Sequence, residues 1–411
     1  MAELRKKTNF TSINRIAIID VSSLSQNKHF NKMEIYRFIQ KQCLNHLKKS
    51  NKVILIYGPR QAGKTTLVKQ LGKNSGLKVL YISTDLSKNE NLLMQRDLKL
   101  LSDLTEGYEL LIIDEAQRVK EIGLTLKIFY DEMPRLKVIA TGSSSFDLAN
   151  KTSEPLTGRK RIFHLLPLTL GEIGKGLNKY ELDQQLQDIL IYGLYPEVYT
   201  SNTNMKRDIL EDISESYLFK DVLQLTTVKY TVKIRNLLRL LAFQVGQQVS
   251  IHELTQKLAI NRETVERYID LLEKAFVIFR LSSFSRNPRN EITKMDKIYF
   301  YDTGVRNIMI DNLKPINQRN DIGNLWENFI IAERRKQIFY RRINVKSYFW
   351  RTYRGAEIDY IEEGEDKLIG YEIKIEKNKV RVPKAWREDY GGNLRLINRK
   401  NYLNWLLEGM S

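Results

Sequence analysis

Over the first 165 residues, short apolar runs alternate with longer segments of helical period. Val53 to Tyr57, Leu80 to Asp85, Leu110 to Ile113 and Lys137 to Ala140 read as strands, and helical segments such as Lys64 to Leu71 and Leu124 to Met133 lie among them. Continuous apolar strands separated by helices predict a parallel sheet covered on both faces. Residues 206–250 then show the spacing of amphipathic helices. Next come a short helix from Ser250 to Leu258, a turn at Ala259 to Asn261, and a helix from Arg262 to Lys274 with Val265, Ile269 and Leu272 on its inner face. Asn261 suits the N-cap and Glu263 the first turn. Phe276 to Leu281 and Lys297 to Tyr301, joined by a basic segment, predict a hairpin that would form the wing of a winged helix. The last pattern is a helix from Gly323 to Glu333, strands at Ser347 to Trp350 and Gly355 to Ile361, an acidic turn at Glu362 to Asp366, and a strand from Leu368 to Ile375. The expected division is an N-terminal extension (1–32), an α/β domain (33–205), a helical and winged-helix domain (206–314) and a C-terminal α/β domain (315–411).

Composition narrows the class. The 411 residues carry 67 Lys and Arg against 49 Asp and Glu, a net charge of +18. That excess fits a polyanionic partner, or simply keeps a globular protein soluble. Cys43 is the single cysteine, and His29, His46, His164 and His252 stand apart, so no disulfide framework and no Cys- or His-rich zinc site is expected. The apolar runs fall far short of the ~20 residues a membrane helix requires. Neither a secretory signal nor an anchor is expected, and the setting is the cytoplasm.

The chemistry begins at Gly58-Pro59-Arg60-Gln61-Ala62-Gly63-Lys64-Thr65-Thr66, directly after an apolar strand. Glycines at this spacing let backbone N–H groups close around phosphates, Lys64 can reach the β and γ oxygens, and the Thr65 hydroxyl can ligate Mg²⁺. Asp114 and Glu115 end the strand Leu110 to Ile113. Asp114 would complete the Mg²⁺ shell and Glu115 would orient and deprotonate an attacking water, a pairing that favours hydrolysis over transfer to a metabolite. The strand ending at Ala140 leads into Thr141-Gly142-Ser143-Ser144-Ser145, with Ser143 as the candidate γ-phosphate sensor.

These segments resemble the prokaryotic AAA-type ATPases whose loop reads Gly-Pro-Arg-Gln-x-Gly-Lys-Thr-Thr. Asp114-Glu115-Ala116-Gln117-Arg118, Thr141 to Ser144, Leu156-Thr157-Gly158-Arg159, Leu165-Leu166-Pro167-Leu168, Tyr195-Pro196-Glu197 and Tyr217 to Val222 extend the likeness from about Met33 to the C-terminus. The resemblance implies a P-loop AAA-type core, followed by a winged-helix domain and a restriction-endonuclease-like (PD-(D/E)XK) domain. It also implies Arg159 as a transition-state cation, with a structural ion pair as the alternative, and a homo-oligomer in which an arginine completes a neighbour's site. Residues 1–32 depart from the pattern, as does Lys220, which stands where Arg is common.

Two further constellations bear on nucleic acid. In the winged-helix reading Arg262, Thr264 and Arg267 would face the major groove, and Arg286 and Arg289 would meet phosphates; the alternative is a lid on the ATPase. In the C-terminal domain Asp359, Glu372 and Lys374 have the Asp…Glu-x-Lys arrangement of a nuclease, with Glu327 as an extra acidic ligand for a second Mg²⁺ or Mn²⁺. Arg334 to Arg354 holds no acid and interleaves cations with Phe339, Tyr340, Tyr348, Phe349, Trp350 and Tyr353, a mixture suited to phosphates and stacked bases. The expected function is Mg²⁺-dependent hydrolysis of ATP to ADP and phosphate, coupled to nucleic acid, with DNA favoured. The alternative is an ATP-gated switch whose nuclease fold is inactive and recognises a protein or DNA partner.

Overall fold

The computed structural model describes residues 19–20, 35–142, 155–216, 231–286 and 295–408. They fall into two compact units: those within Met1–Lys32, Ile39–Gly58 and Gly63–Leu165 belong to the first, and those within Met33–Phe38, Pro59–Ala62 and Leu166–Ser411 to the second. Ser143 and Arg289, together with the segments 217–222 and 1–18, lie outside the described residues.

The first unit is a six-stranded sheet built from β1 (Ile19–Asp20), β2 (Val53–Tyr57), β3 (Val79–Ser83), β4 (Leu110–Asp114), β5 (Lys137–Gly142) and β6 (Lys160–His164), in the order β1-β3-β4-β5-β2-β6. All neighbours are parallel except β1, which pairs antiparallel with β3 through Ile19 opposite Tyr81. Val53–Tyr57 and Leu110–Asp114 are buried along their whole length, which is why both read as unbroken apolar runs. Helices α1 (Phe38–Lys49), α2 (Lys64–Ser75) and α3 (Ile122–Glu132) bury single apolar stripes such as Leu67, Val68 and Leu71. Gly76 ends α2 at φ 72°, a left-handed cap that glycine adopts without strain. From β2 the chain passes through α2 to β3, across the places that β5 and β4 fill. It thereby leaves the C-terminal strand ends as the natural ligand crevice.

The second unit holds helices and a second six-stranded sheet. Helix α4 (Ile251–Leu258) is capped by Ser250 and closes on Ala259 at φ 49°. Helix α5 (Arg262–Lys274) starts at Asn261, whose side chain accepts the Thr264 N–H at 2.8 Å and supplies one of the helix's unpaired donors with a partner. Val265, Tyr268, Ile269 and Leu272 are its buried stripe. The sheet comprises β7 (Ile278–Ser283), β8 (Lys297–Phe300), β9 (Lys346–Arg351), β10 (Glu357–Glu363), β11 (Leu368–Ile373) and β12 (Leu394–Ile397), in the order β12-β11-β10-β9-β7-β8. The hairpin expected as a wing is part of this sheet. Ser282 and Ser283 of β7 pair in parallel with Tyr348 and Phe349 of β9, so one sheet crosses the boundary drawn at 314/315. Helix α6 (Ile322–Arg341) packs on β8 and β11 and is pinned by Asn328, whose amide bonds both the N–H and the carbonyl of Phe300. Trp350, Ile358, Ile361, Trp386 and Phe284 form a core on this sheet.

Candidate functional site

Parallel pairing brings the ends of three strands to one edge. The register sets Ile113 of β4 beside Ala140 of β5, so Asp114 falls level with Thr141, and Tyr57 of β2 lies beside Gly142. Asp114 is buried, and one carboxylate oxygen accepts the Thr65 hydroxyl at 2.7 Å and the Tyr81 hydroxyl at 2.7 Å. Its other oxygen accepts the Thr141 hydroxyl. Burial, reinforced by the Asp114 charge, pushes the Tyr81 hydroxyl well above its ordinary range, so it stays protonated and donates.

Gly58 begins the loop where no side chain fits: a Cβ there would lie 2.0 Å from the Leu165 carbonyl oxygen. The same strand end is tied by the Leu165 N–H donating to the Tyr57 carbonyl at 2.6 Å. Gln61 at φ 55° and Gly63 at φ 92° are left-handed, the alternation that turns successive N–H groups to one side and forms an anion-binding concavity. Pro59 and Ala62 are buried, Arg60 is half-buried, and Gln61 and Thr66 are exposed. Lys64 is buried and its ammonium donates to the Gly58 carbonyl at 2.9 Å.

Glu115 sits at φ 57°, a left-handed conformation that costs a non-glycine residue about 1 kcal/mol or more. Several bonds hold it there. Its N–H donates to the Thr141 hydroxyl at 3.1 Å, its carbonyl accepts the Thr84 hydroxyl at 2.7 Å, and its carboxylate accepts the Gln117 amide at 2.5 Å. Thr65 and Asp114 thus offer adjacent hard oxygen donors, the kind Mg²⁺ takes together with phosphate oxygens and water. Glu115, one residue on, is a second carboxylate at the same strand end. Tyr81, Thr84, Thr141 and Gln117 were not singled out from sequence. Thr141 and Gln117 lay within recognised motifs, whereas a tyrosine inside an apolar strand carries no signal of its own.

Arg159 is not brought to this edge. It precedes β6, whose first residue pairs with Val53 at the start of β2, so about five residues of strand, roughly 16 Å, separate it from the loop. Its guanidinium pairs with Asp131 at 2.8 Å and lies over the Tyr130 ring, the ion-pair alternative to a catalytic role.

In the second unit, Tyr360 of β10 faces Tyr371 of β11, so the next pair along the hairpin is Asp359 and Glu372. A register shift between Ile358 and Ile361 sets Asp359 and Tyr360 in a bulge opposite β9. Lysines occupy the space among these carboxylates. Lys374 meets Asp359 at 2.6 Å and Glu372 at 3.7 Å, and Asp359 also accepts the Ile373 N–H at 2.7 Å. Lys297, buried on β8, lies 2.5 Å from Glu357 and 3.3 Å from Glu327, and Glu327 accepts the Tyr299 hydroxyl at 2.6 Å. Burial pushes the Glu327 carboxyl up to about 7 despite Lys297, with Asp359 adding to the rise. Burial pulls the Lys297 pKa down, but the Glu327 and Glu357 carboxylates outweigh it and raise it. Among the described residues no three His, Cys, Asp or Glu side chains converge on a metal position. Lys297 and Glu357 belong to this cluster and escaped sequence reading, because a lone lysine on an apolar strand resembles any solvated position.

The acid-free stretch 334–354 does not fold into a continuous basic surface. Arg334 makes two bonds to Glu362, at 2.6 and 2.8 Å; Arg335 lies over Phe279; buried Lys336 bonds Glu333 at 2.7 Å and the Leu168 carbonyl at 3.0 Å. Phe349, Trp350 and Tyr340 are core residues. Arg342, Lys346, Arg351, Tyr353 and Arg354 remain exposed. On α5, Arg262 and Arg267 are exposed, Arg262 pairing with Glu266 at 2.7 Å, and Thr264 is half-buried; Arg286 stacks over Tyr390.

Residues 50–174 match a family model described as an AAA domain. Residues 183–315 and 322–396 each match a domain of unknown function. An uncharacterized protein of Mycobacterium tuberculosis is 29% identical over 327 residues, covering 78% of this chain and 70% of its own. A second, from Methanocaldococcus jannaschii, is 26% identical over 361 residues, covering 82% and 78%. A Walker-type ATPase of Pyrococcus abyssi superposes with a TM-score of 0.48 and 15% identity, covering 68% of this chain and 97% of that one. The chain has a mixed α/β fold with a parallel sheet core, its match to an AAA domain lying over residues 50–174, and among the described residues no helix is long and apolar enough to cross a membrane.

Proposed function

We propose that this protein binds ATP with Mg²⁺ and hydrolyses it to ADP and phosphate. The observation that carries this reading is the 2.7 Å contact between Thr65 of the loop and Asp114 of β4, with Glu115 at the same strand end. Bound Mg²⁺ would neutralise phosphate charge as the bond to the leaving group breaks. The chain's own groups do the rest. Loop N–H groups and Lys64 bind and orient the phosphates, Thr65 and Asp114 hold the metal, and Glu115 orients a water and takes its proton. Phosphate release in the presence of Mg²⁺ and without any acceptor substrate tests it. Wild type should turn over and Lys64→Ala should not; equal rates would reject the assignment.

The C-terminal carboxylates are best read as a charge-balanced network, since buried Lys297, which is no part of the Asp…Glu-x-Lys arrangement, neutralises Glu327 and Glu357. The nuclease-like module then serves recognition, and DNA is the partner we favour. The exposed Arg262 and Arg267 on α5 and the net charge of +18 support that choice. DNA binding should weaken steeply with salt and fall further in Arg267→Ala. Salt-independent binding, or none, would remove this part of the proposal.

A further inference from the structure

Arg37, just before α1, is 5% exposed. A guanidinium so deeply buried is tolerated only with every donor engaged. Its Nε donates to Glu172 at 3.0 Å, one Nη to the Leu166 carbonyl at 2.5 Å, and the other to the carbonyl of Ala62 at 2.7 Å. Burial works against the charge, and Glu172 above all holds Arg37 protonated; Tyr340 of α6, also buried, stands against the guanidinium, and its hydroxyl accepts the Leu166 N–H at 2.8 Å. Glu172 in turn takes the N–H groups of Phe38 and Thr169. Arg37, Ala62, Leu166, Glu172 and Tyr340 all belong to the second unit.

Ala62 matters because of what shares its peptide plane. The carbonyl of Ala62 and the N–H of Gly63 are opposite ends of one rigid unit, and that N–H belongs to the turn of the phosphate-binding loop. A cationic donor on the carbonyl fixes the plane's orientation and polarises the N–H, making it a stronger donor to an anion. The effect is reciprocal: an anion on the N–H strengthens the carbonyl as an acceptor, and so tightens Arg37 and its partners.

We propose that Arg37 is a positioning residue for the phosphate loop and that, through Tyr340, helix α6 sets nucleotide affinity and responds to nucleotide. This rests on the ATP-binding reading above and adds its regulation.

The test uses the full chain, ADP titrations, thermal melts, and amide exchange around Tyr340 with and without ADP. Tyr340→Phe removes one hydroxyl, and should keep its melting temperature within a few degrees while binding ADP about 3-fold to 10-fold more weakly. Arg37→Lys keeps the charge but loses the fork, and should weaken binding about 10-fold or more. In wild type, ADP should slow amide exchange near Tyr340, and in Arg37→Lys that response should vanish. ADP affinities equal to wild type in both variants, or exchange near Tyr340 indifferent to ADP in wild type, would overturn the proposal. Should Arg37→Lys fail to fold, Tyr340→Phe and the wild-type exchange still decide. If wild type bound no ADP, the nucleotide reading would fall and this inference with it. Tight wild-type binding with unaffected variants would remove the inference alone.

Discussion

The Tyr81 hydroxyl donates to the Asp114 carboxylate at 2.7 Å from the middle of the adjoining strand, on the same oxygen that receives Thr65. The carboxylate is thus oriented by β3 as well as by the loop. Removing that hydroxyl leaves Asp114 with two hydroxyl donors and more freedom to turn. Tyr81→Phe should raise the Mg²⁺ concentration giving half-maximal hydrolysis roughly tenfold, as expected for one hydrogen bond to a charged group. The rate at saturating Mg²⁺ should change little. An unaltered Mg²⁺ requirement would mean that Tyr81 only fills space.

Gly58 tests the loop's backbone rather than its charges. Ala at this position drives a methyl to 2.0 Å from the Leu165 carbonyl oxygen, so the loop or the β6 end must shift. Gly58→Ala should therefore lose nucleotide binding, measured by ADP titration, although Lys64, Thr65 and Asp114 are all retained. Wild-type affinity in this variant would show that the close approach is not required.

What could be read from the sequence, and what could not, follows from where each residue's partners lie. The strand Val53–Tyr57 and its glycine loop were legible because buried parallel strands are apolar throughout and the loop calls for glycine, at Gly58 through the close approach of Leu165 and at Gly63 through its φ of 92°. Arg159 was proposed from the likeness of Leu156 to Arg159 to a family motif, which does not say at which end of β6 the guanidinium stands; only the parallel register does. The run from Arg334 to Arg354 was acid-free in sequence, yet Arg334 finds Glu362 across the fold, and Lys336 finds Glu333 one helical turn back. Arg37, Tyr81 and Lys297 gave no sign at all. Each is a single polar residue whose meaning comes from a carbonyl or carboxylate delivered by another element.

Lys297 predicts a stability that depends on pH. Lys297→Met leaves Glu327 and Glu357 facing each other without their shared ammonium, which should destabilise the second unit by about 3 to 5 kcal/mol at pH 8. The folded Glu327 carboxyl, raised by burial to about 7, lies above its unfolded value near 4.5. Such a group contributes stability that is fully present below about 4.5 and is lost as pH rises through about 7. Acidification from pH 8 to 5.5 should accordingly restore part of the variant's melting temperature relative to wild type. A deficit that stayed constant across that range would contradict the assignment.

Arg334 separates a structural cation from a nucleic-acid contact. Its two bonds to Glu362 and its stacking over Trp405 make it part of the fold. Arg334→Ala should lower the melting temperature and leave the salt dependence of DNA binding unchanged. A reduced salt slope in a stably folded Arg334→Ala would restore it to the binding surface.

The central claim is that Glu115 is the base of an ATP hydrolase, and single-turnover conversion of radiolabelled ATP by Glu115→Gln tests it most directly. Binding should remain within a few-fold of wild type, because Thr65, Asp114 and Lys64 are untouched, while ADP formation should slow by about 100-fold or more. ADP formation at the wild-type rate in Glu115→Gln would contradict the account.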